Sequence, residues 1–418
     1  MSRRILKIAW RNLWRNPRRT LITMTAIAVG YATLLVFACL LEGMRQQMVE
    51  NGTSSGLSHL QVHAPGYYPD RSIYATLGGR EGVDVGRLLA TITSDPRVRA
   101  AAPRVYGYGL ISHADYSAGA EILGIVPAQE QLLTTLHTRL VEGSYLSEQM
   151  PKGIVVGDGL AKAIDAKVGT EIVLIAGATD GSMGNDLYTI VGIFRAGIET
   201  LDRGLVLMSL SSLQELLSLP SRRIHEVGVI LFDEDKSTAV AAAVEAQLGK
   251  ILPVRVRAWP ELAPELAEYV RFNRGSSLLV FFIIFLLAVI GSMNTMLMAV
   301  FERTRELGML MAVGVRPVQV VGLILAEAGG LVGTSLLLGG GIGAPLLWFL
   351  RVYGLDLRGF VGEVALAGSV VDPFWYGQHD FLAYGQAALG LAITALVAAL
   401  YPALRAARLQ PMEAMRKV

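Results

Sequence analysis

Two short stretches carry residue types that catalyse reactions or bind metals in other proteins. Gly52-Thr53-Ser54-Ser55-Gly56 fits the G-x-S-x-G pattern of a nucleophile elbow. Such an elbow needs a strand before the serine and a helix after it, and here the predicted order is reversed. His59 and His63 are four residues apart, which on a strand separates them by about 13 Å. We therefore interpret the first stretch as a mobile turn and predict no catalytic residue and no metal site.

Motifs for other chemistry are also missing from the sequence. It contains no H-E-x-x-H, no cysteine cluster and no G-x-x-x-x-G-K-[ST], and its one cysteine is Cys39. The glycine cluster Gly339–Gly343 lacks the lysine of a phosphate-binding loop and lies inside an apolar segment. A formal net charge of +2 gives no indication of nucleic-acid binding. We predict that the chain is not an enzyme and binds no nucleotide through such a loop.

The composition indicates a membrane protein, since 52% of the residues are hydrophobic and 17% are charged. Four windows contain no Asp, Glu, Lys or Arg: Thr20–Leu41, Gly275–Phe301, Ala328–Leu350 and Phe381–Leu404. At about 1.5 Å per residue, a helix of this length crosses a hydrocarbon core of about 30 Å. We predict four transmembrane helices in preference to four buried helices of a soluble protein.

Charges in the short segments between these windows indicate the orientation. Residues 1–19 carry seven basic residues and no acid, and segment 302–316 carries three Arg against two Glu. The segment after Leu404 is also basic, whereas the loop 351–380 has two Arg against four acids. Basic segments stay on the cytoplasmic side. Both termini and the 302–316 loop are therefore predicted to be cytoplasmic, and residues 42–274 lie on the other side.

The large segment between the first two windows has the alternating short apolar and polar stretches of a globular α+β domain. Strands are predicted at His59–His63, Ile122–Val126, Ile154–Val156, Glu171–Ile175, Tyr188–Phe194, Leu205–Met208, Val227–Phe232 and Val254–Val256. Helices are predicted at Gly159–Ala166, Ser211–Ser218 and Thr238–Leu252. Met44–Asn51 and Pro260–Arg274 are predicted to be stalk helices that continue into the first and second membrane helices.

Two amphipathic segments flank the predicted membrane helices on the basic side. In the first, Leu6, Trp10, Leu13 and Trp14 follow helical spacing opposite a basic face, which is typical of an interfacial helix. In the second, residues 301–317, the pairs Glu302/Arg305 and Arg303/Glu306 have i, i+3 spacing. Leu307, Leu310, Met311 and Gly314 form an apolar ridge beside them, and Pro317 can begin the next helix. Such a surface suits docking on another protein, although a plain interfacial helix remains open as an alternative.

The third apolar segment is rich in glycine. Gly329/Gly333 and Gly339/Gly343 have small-xxx-small spacing, which favours close helix packing. Glu327 lies near one end of this segment. An acid in such a place either snorkels to the membrane surface or has a functional role.

Three stretches together resemble one family. Glu302–Gly314 (ERTRELGMLMAVG) is similar to the signature of the MacB/LolC–LolE/FtsX superfamily of ABC transporter permeases. Tyr401–Arg416 resembles the ending of this family and Ala9–Thr20 its N-terminal elbow. Helix number, topology and the large insertion also fit, so the resemblance covers the whole chain. The approach to the second stalk, Val256–Leu266, and the chain length resemble the lipoprotein-releasing LolC/LolE branch.

The resemblance implies a membrane α-helical fold with four transmembrane helices and a large α+β periplasmic domain between helices 1 and 2, in the bacterial inner membrane. The predicted segments are a 1–19 elbow helix, 20–41 transmembrane helix 1, a 42–274 periplasmic domain with stalks at both ends, 275–301 transmembrane helix 2, a 302–317 coupling helix, 318–350 transmembrane helix 3, a 351–380 periplasmic loop, 381–404 transmembrane helix 4 and a 405–418 cytoplasmic tail.

The resemblance also implies how the chain works. The coupling helix would dock on a separate cytoplasmic ABC ATPase dimer, which binds the ATP and Mg²⁺, so no cofactor is expected in this chain. Residues implied in coupling are Glu302, Arg303, Arg305, Glu306, Gly308, Leu310 and Gly314. A second permease copy or a related permease would complete the complex, in which ATP-driven motion passes along the stalks to the periplasmic domains (mechanotransmission).

Three hypotheses for the cargo follow from the resemblance. The first is extraction of lipoproteins or another amphiphile from the membrane, with an apolar cavity between the first and second helices of two copies. Candidate lining residues are Tyr31, Phe37, Phe281, Phe282 and Phe285. The second is MacB-like efflux of drugs or peptides through a periplasmic adaptor. The third is an FtsX-like regulator of a cell-wall hydrolase, for which a domain of this size is larger than expected.

Overall fold

A computed structural model of the chain describes residues 3–79, 84–147, 149–250, 253–356, 364–366, 369–371 and 374–408. The chain divides into two compact units. The helical unit comprises Met1–Gln46, Arg271–Phe360 and Phe374–Val418, and the sheet unit comprises Gln47–Val270 and Val361–Pro373. Most of the predicted cytoplasmic tail, from residue 409 onward, and much of the predicted loop 351–380 lie outside the described residues.

The described α-helices include both long apolar segments and short surface turns. In chain order they are α1 (Arg3–Leu13), α2 (Pro17–Gly52), α3 (Val85–Thr93), α4 (Pro127–Glu130), α5 (Asp158–Ala163), α6 (Glu199–Gly204), α7 (Leu210–Leu216), α8 (Ser237–Leu248), α9 (Trp259–Leu262), α10 (Pro264–Glu302), α11 (Thr304–Ala312), α12 (Pro317–Tyr353) and α13 (Phe381–Ala407). A π-helical turn, Thr53–Leu57, follows α2, and 3₁₀ turns lie at Leu136–Thr138 and Glu234–Lys236.

The described strands lie mostly in the sheet unit. In chain order they are β1 (Leu60–His63), β2 (Val98–His113), β3 (Tyr116–Ile125), β4 (Leu140–Gly143), β5 (Gly153–Gly157), β6 (Glu171–Gly177), β7 (Met183–Phe194), β8 (Leu205–Ser209), β9 (Glu226–Leu231), β10 (Arg255–Ala258), β11 (Leu355–Asp356), β12 (Val364–Leu366), β13 (Ser369–Val371) and β14 (Phe374–Trp375).

Four helices of the described residues are long and apolar enough to cross a membrane: α2 with its π-helical turn, α10, α12 and α13. Each contains one of the four predicted windows. The second predicted stalk differs from the structure, because Ala263 leaves helical geometry (φ −128°, ψ 73°) between α9 and α10. A residue before proline is disfavoured in the helical region, so the long helix begins at Pro264 and not at Pro260.

The core of the helical unit is built from small and aliphatic residues of α1, α2, α10, α12 and α13. Its buried members are Leu13, Met24, Ile27, Met296, Ala328, Leu331, Leu391 and Ala399. Alanines on α12 and α13 allow these helices to approach closely, which is how membrane helices pack without a large hydrophobic driving force.

The sheet unit contains a mixed ten-stranded sheet with the order β10-β1-β9-β2-β3-β8-β5-β7-β4, and β6 pairs with β2 and β7. Neighbouring pairs are antiparallel except β3/β8 and β5/β7. One large core of aliphatic side chains from these strands and from α3, α5, α7 and α8 holds the unit together. Each of the eight predicted strand segments overlaps an observed strand. The sequence analysis missed β2, the 16-residue strand to which β3, β6 and β9 pair.

Candidate functional site

The segment predicted to couple the chain to a partner folds as a short helix between two long ones. Helix α10 ends at Glu302, Arg303 has non-helical geometry, and α11 begins at Thr304. Gly314 ends α11 with φ +102°, and the amide of Val315 donates to the Leu310 carbonyl (3.0 Å). A left-handed residue after a helix is usually glycine because a side chain is strained there. The prediction that Pro317 begins the next helix is confirmed.

A network of polar contacts, which we call the charged junction, joins this segment to α1, α2 and α12. Its members are Asn12, Arg15, Arg19, Glu302, Arg303, Glu306 and Glu327. Arg19 donates to Glu302 (2.9 Å), and Arg303 lies 3.6 Å from Glu306. The predicted Arg303/Glu306 pair is therefore present. The predicted Glu302/Arg305 pair is replaced, because the break at Arg303 leaves Glu302 on α10 beside Arg19.

Arg15 and Glu306 form the most exposed pair of the charged junction. Two Arg15 nitrogens donate to the two carboxylate oxygens of Glu306, one of them at 2.7 Å. These hydrogen bonds lower the pKa of the Glu306 carboxyl below its usual value, since they favour the ionised form. The side chains are 58% and 37% exposed. Glu306 therefore stays charged near neutral pH and accessible to solvent.

Glu327 is the most buried member of the charged junction. Its carboxylate accepts from Asn12 of α1 (2.6 Å) and from Arg303 at 3.2 Å to each oxygen. Its side chain is 11% exposed. An acid in a membrane helix is normally paired, and Glu327 is paired with a cation and does not snorkel. Sequence reasoning missed Asn12 as a partner of Glu327, and it missed Arg15 and Arg19 as members of the charged junction. The signal was available, because an acid at the end of an apolar segment needs a cation nearby.

The predicted apolar ridge of α11 is divided between two faces. Leu307 is buried and Met311 packs against the same cluster, so these two side chains hold α11 on the long helices. The cluster consists of Val300, Leu307, Val320, Ile324, Ala403 and Ala406. On the other face Met309, Leu310 and Val313 are 47%, 41% and 87% exposed. The prediction of one continuous ridge is wrong, because a helix of about two and a half turns lying on a bundle buries one side.

The structure therefore sorts the seven predicted coupling residues into three groups. Arg305, Leu310 and Gly314 are exposed. Glu302, Arg303 and Glu306 belong to the charged junction, where their charges already have partners in this chain. Gly308 is buried. We call the exposed residues Arg305, Met309, Leu310 and Val313 the α11 outer face.

The two small-xxx-small pairs of α12 differ in their surroundings. A Cβ atom at Gly339 would lie 2.5 Å from the Ala28 carbonyl oxygen of α2, and one at Gly343 would lie 2.9 Å from a methyl of Leu35. At Gly329 and Gly333 a Cβ atom would meet nothing within 4 Å. The second pair therefore permits close packing against α2, as predicted for such spacing, and the first pair does not serve this purpose among the described residues.

Three of the five predicted cavity residues form an aromatic row. The rings of Phe37 and Phe281 are 6.1 Å apart, and those of Phe281 and Phe285 are 6.4 Å apart. Phe285 and Tyr31 also pack against the core of the helical unit. Phe282 is 64% exposed. Phe282 is thus the most exposed member of the set.

These features define a class of protein: a multi-pass membrane protein with a large globular insertion after its first long helix and a short clamped helix after its second. Comparison with known families agrees. Residues 20–247 match the MacB-like periplasmic core domain and residues 278–411 match the FtsX-like permease C-terminal domain. The first match covers more than half of the 418 residues, and the chain belongs to this family of ABC transporter permeases.

Individual relatives span nearly the whole chain. The lipoprotein-releasing system transmembrane protein LolC of Neisseria meningitidis is 24% identical over 95% of this chain and 94% of its own length. The pyoverdine export ATP-binding/permease protein PvdT of Pseudomonas syringae pv. syringae is 25% identical over 98% of this chain and 59% of its own. The solved periplasmic region of MacB from Actinobacillus actinomycetemcomitans is 13% identical, with a TM-score of 0.37, over 52% of this chain and 95% of that one.

The family and the apolar helices together confirm three predictions: the superfamily, the role as a permease and the location in a membrane. The chain is a type VII ABC transporter permease with a MacB-like periplasmic domain, and it is a multi-pass protein of the inner membrane.

Proposed function

We propose that this permease transmits the motion of a separate cytoplasmic ATPase to its periplasmic domain and thereby extracts lipoproteins, or a similar amphiphile, from the inner membrane. The observation that carries the proposal is the division of α11 into a clamped face and the α11 outer face. The charged junction and Leu307 fix one side of this helix to the bundle. When such a helix is displaced by a partner on its outer face, the displacement is transmitted to the bundle.

The α11 outer face has the composition of a docking surface. Three apolar side chains lie next to the Arg305 cation, and Val313 is 87% exposed. Apolar side chains that fill a partner's pocket provide affinity, and a charge beside them fixes the register. In this proposal the partner ATPase binds the ATP and Mg²⁺. The basic character of residues 1–19 supports a cytoplasmic position for both termini and for α11.

The long helices are suited to carry such a motion. Helix α2 has 36 residues and α10 has 39, which correspond to about 54 and 58 Å. Both exceed the hydrocarbon core of about 30 Å. Neither helix is interrupted between its first and last residue, so a displacement at one end moves the other end. A second permease, identical or related, would provide the other half of the complex and of an apolar cavity in which Phe282 is the most exposed candidate.

Lipoproteins are proposed as cargo because a LolC relative aligns over 95% of this chain and 94% of its own length. The export relative PvdT aligns over only 59% of its own length. Efflux through a periplasmic adaptor and regulation of a cell-wall hydrolase are alternative outcomes of the experiment below. In both alternatives the coupling role of α11 is unchanged.

The docking part of the proposal is tested by Val313→Asp in the full chain. The complex is purified gently from its native membranes and analysed by mass spectrometry of intact assemblies. We expect the unmodified chain to carry two ATPase copies and Val313→Asp to lose them, because a buried unpaired carboxylate is costly. Val168→Asp is the matched control, since Val168 is a 39% exposed valine of the sheet unit. Retention of the ATPase by Val313→Asp would refute docking through the α11 outer face.

The cargo part is tested on the same unmodified preparation without nucleotide. We expect a triacylated protein bound to the permease and released on addition of ATP and Mg²⁺. A periplasmic adaptor in place of acylated protein would favour efflux, and a bound hydrolase without cargo would favour regulation. Either result would overturn lipoprotein extraction and leave the docking result intact.

A further inference from the structure

The sheet unit contains a cavity of about 480 Å³. This volume lies within the usual range for small-molecule sites. Its wall includes the last turn of α2, the π-helical turn, strands β2, β3, β8 and β9, helices α4 and α6, and the start of α10. Aliphatic side chains cover much of it, among them Leu57, Leu123, Leu205, Leu262 and Leu266. A ligand there would therefore contact the adjoining ends of two long helices as well as the sheet.

The polar part of the wall centres on Arg104, which is fully buried. Its guanidinium donates to Glu130 at 3.0 and 2.5 Å and to the Gly56 carbonyl oxygen at 2.6 Å. The bonds of 2.5 and 2.6 Å are at least as short as typical charge-assisted hydrogen bonds. Arg104 is thus neutralised by Glu130, and its strongest donors are occupied.

Glu226 lines the same cavity and is held much less closely. It is 3% exposed, and it accepts from Arg104 at 3.4 Å and from the Tyr67 hydroxyl at 3.3 Å. Charge-assisted bonds are typically about 2.7–2.9 Å long. A carboxylate removed from solvent needs strong donors to offset its lost hydration. Glu226 therefore has capacity to accept a stronger hydrogen bond from the cavity.

The charges around the cavity favour a cation over an anion. The basic and acidic side chains in its wall are two arginines, Arg71 and Arg104, and four glutamates, Glu121, Glu130, Glu226 and Glu265. Arg71 is paired with Glu121 at 2.8 Å, and its guanidinium lies 4.4 Å from the centre of the Tyr106 ring. Both guanidiniums are thus already paired with carboxylates, and the wall has more negative than positive charge.

We propose that this cavity is a binding site for a small cationic amphiphile, whose ammonium group donates to Glu226 and whose aliphatic part lies against the leucines. The proposal depends on the wall of the sheet unit alone and not on the docking of an ATPase or on the nature of the transported cargo. An ammonium and a neutral hydroxyl can both donate to Glu226, but only the ammonium also neutralises its charge. A gain of about 1.4 kcal/mol from that charge, about half of the largest value for a hydrogen bond to a charged group, corresponds to a preference of about tenfold for an amine over a neutral analogue of equal length.

The experiment uses the full chain in lipid nanodiscs and three probes of one chain length: hexylamine, hexanol and hexanoate. Binding is measured by saturation-transfer NMR titration, and empty nanodiscs provide the blank. We expect hexylamine to bind about tenfold more tightly than hexanol and hexanoate to bind no better than in the blank. Equal affinity for hexylamine and hexanol, or tighter binding of hexanoate, would overturn the proposal.

Variants locate the binding in this cavity. Thr200 is an exposed residue of the cavity wall, so Thr200→Trp should block hexylamine without disturbing the core. Glu265→Gln should weaken hexylamine a few-fold, whereas Glu268→Gln, an exposed glutamate of the same helix that does not line the cavity, should leave affinity unchanged. Glu226→Gln should abolish the preference for hexylamine over hexanol. Unchanged hexylamine binding in Thr200→Trp would place the amine elsewhere and refute the site.

Discussion

The chain contains two ionic networks of the same residue types in opposite environments. In the sheet unit, Arg104 and Glu130 have side chains that are 1% and 2% exposed. In the charged junction, Arg15 and Glu306 are 58% and 37% exposed. Breaking a buried pair leaves an unpaired charge and costs about 3–5 kcal/mol, whereas an exposed pair contributes about 0–1 kcal/mol. The buried network therefore fixes the positions of its side chains, and the exposed pair can exchange partners at little cost in free energy.

The largest expected effect follows from removing the buried cation. Arg104→Met keeps an unbranched side chain but leaves Glu130 and Glu226 without their guanidinium. We expect the sheet unit to lose about 3–5 kcal/mol of stability, measured by thermal unfolding of the full chain with near-UV circular dichroism.

The matched control for this substitution is Arg203→Met. Arg203 pairs with Glu199 at 3.0 Å, and the two side chains are 72% and 67% exposed. We expect a change below about 1 kcal/mol there. If both substitutions cost the same, burial would not be the property that distinguishes the two networks.

Acid should also separate the sheet unit from the exposed Arg15–Glu306 pair. Burial lowers the pKa of His59 from 6.5 to about 4, and it also lowers the pKa values of His63 and His225. Between pH 6.5 and 4 the unfolded chain binds more protons than the folded one, so the sheet unit loses stability as pH falls. His59 alone accounts for about 3 kcal/mol over this window, at about 1.4 kcal/mol per pKa unit.

The exposed Arg15–Glu306 pair of the charged junction should respond only at lower pH. The pKa of Glu306 is lowered from its ordinary value of 4.5, so its contribution is present above pH 4.5 and is lost as the pH falls below it.

The variant His59→Asn tests the assignment of the pH dependence to His59. In this variant the Asn amide oxygen replaces the ring nitrogen that accepts from the Leu231 amide (3.0 Å). A stability curve between pH 4 and 6.5 that is as steep in this variant as in the unmodified chain would contradict the assignment to His59.

Sequence reasoning located the apolar helices and most strands because these depend on local pattern. It missed β2 because Ala100, Ala101, Ala102 and Pro103 weaken the strand pattern near its start. This strand is stabilised by its neighbours, since β3, β6 and β9 all pair with it. Pairing with strands distant in sequence determines the structure of β2, and the local residue pattern does not reveal such pairing.

The candidate site shows the same limit. The spacing of Arg303 and Glu306 predicted one ion pair correctly. It could not reveal that Arg19 pairs with Glu302, or that Asn12 reaches Glu327 across 315 positions of sequence. The burial of Leu307 but not of Leu310 depends on which side of α11 meets the bundle. A helical ridge read from spacing alone does not contain that information.

Close packing, rather than charge, should account for the stability of the helical unit. Gly339→Val places a branched side chain against the Ala28 carbonyl and the Tyr31 ring, where even a Cβ atom would be 2.5 and 3.1 Å away. We expect a loss of about 1–3 kcal/mol from overpacking, measured by unfolding in mixed detergent. Gly333→Val is the control, because it lies on the same helix with nothing within 4 Å. A similar loss in both variants would point to helix propensity and not to packing against α2.

The smallest effect on stability concerns Arg15 and Glu306. Because both side chains are exposed, a double-mutant cycle of Arg15→Gln and Glu306→Gln should give a coupling energy of about 0–1 kcal/mol, which decreases with added salt. The cycle is measured by unfolding of the full chain at low and high ionic strength. A coupling energy near 3 kcal/mol, insensitive to salt, would place this pair with Arg104 and Glu130 as a fixed structural element. A small and salt-sensitive value means that α11 can exchange the Arg15 contact for one with a partner at little energetic cost, as the proposed coupling role of α11 requires.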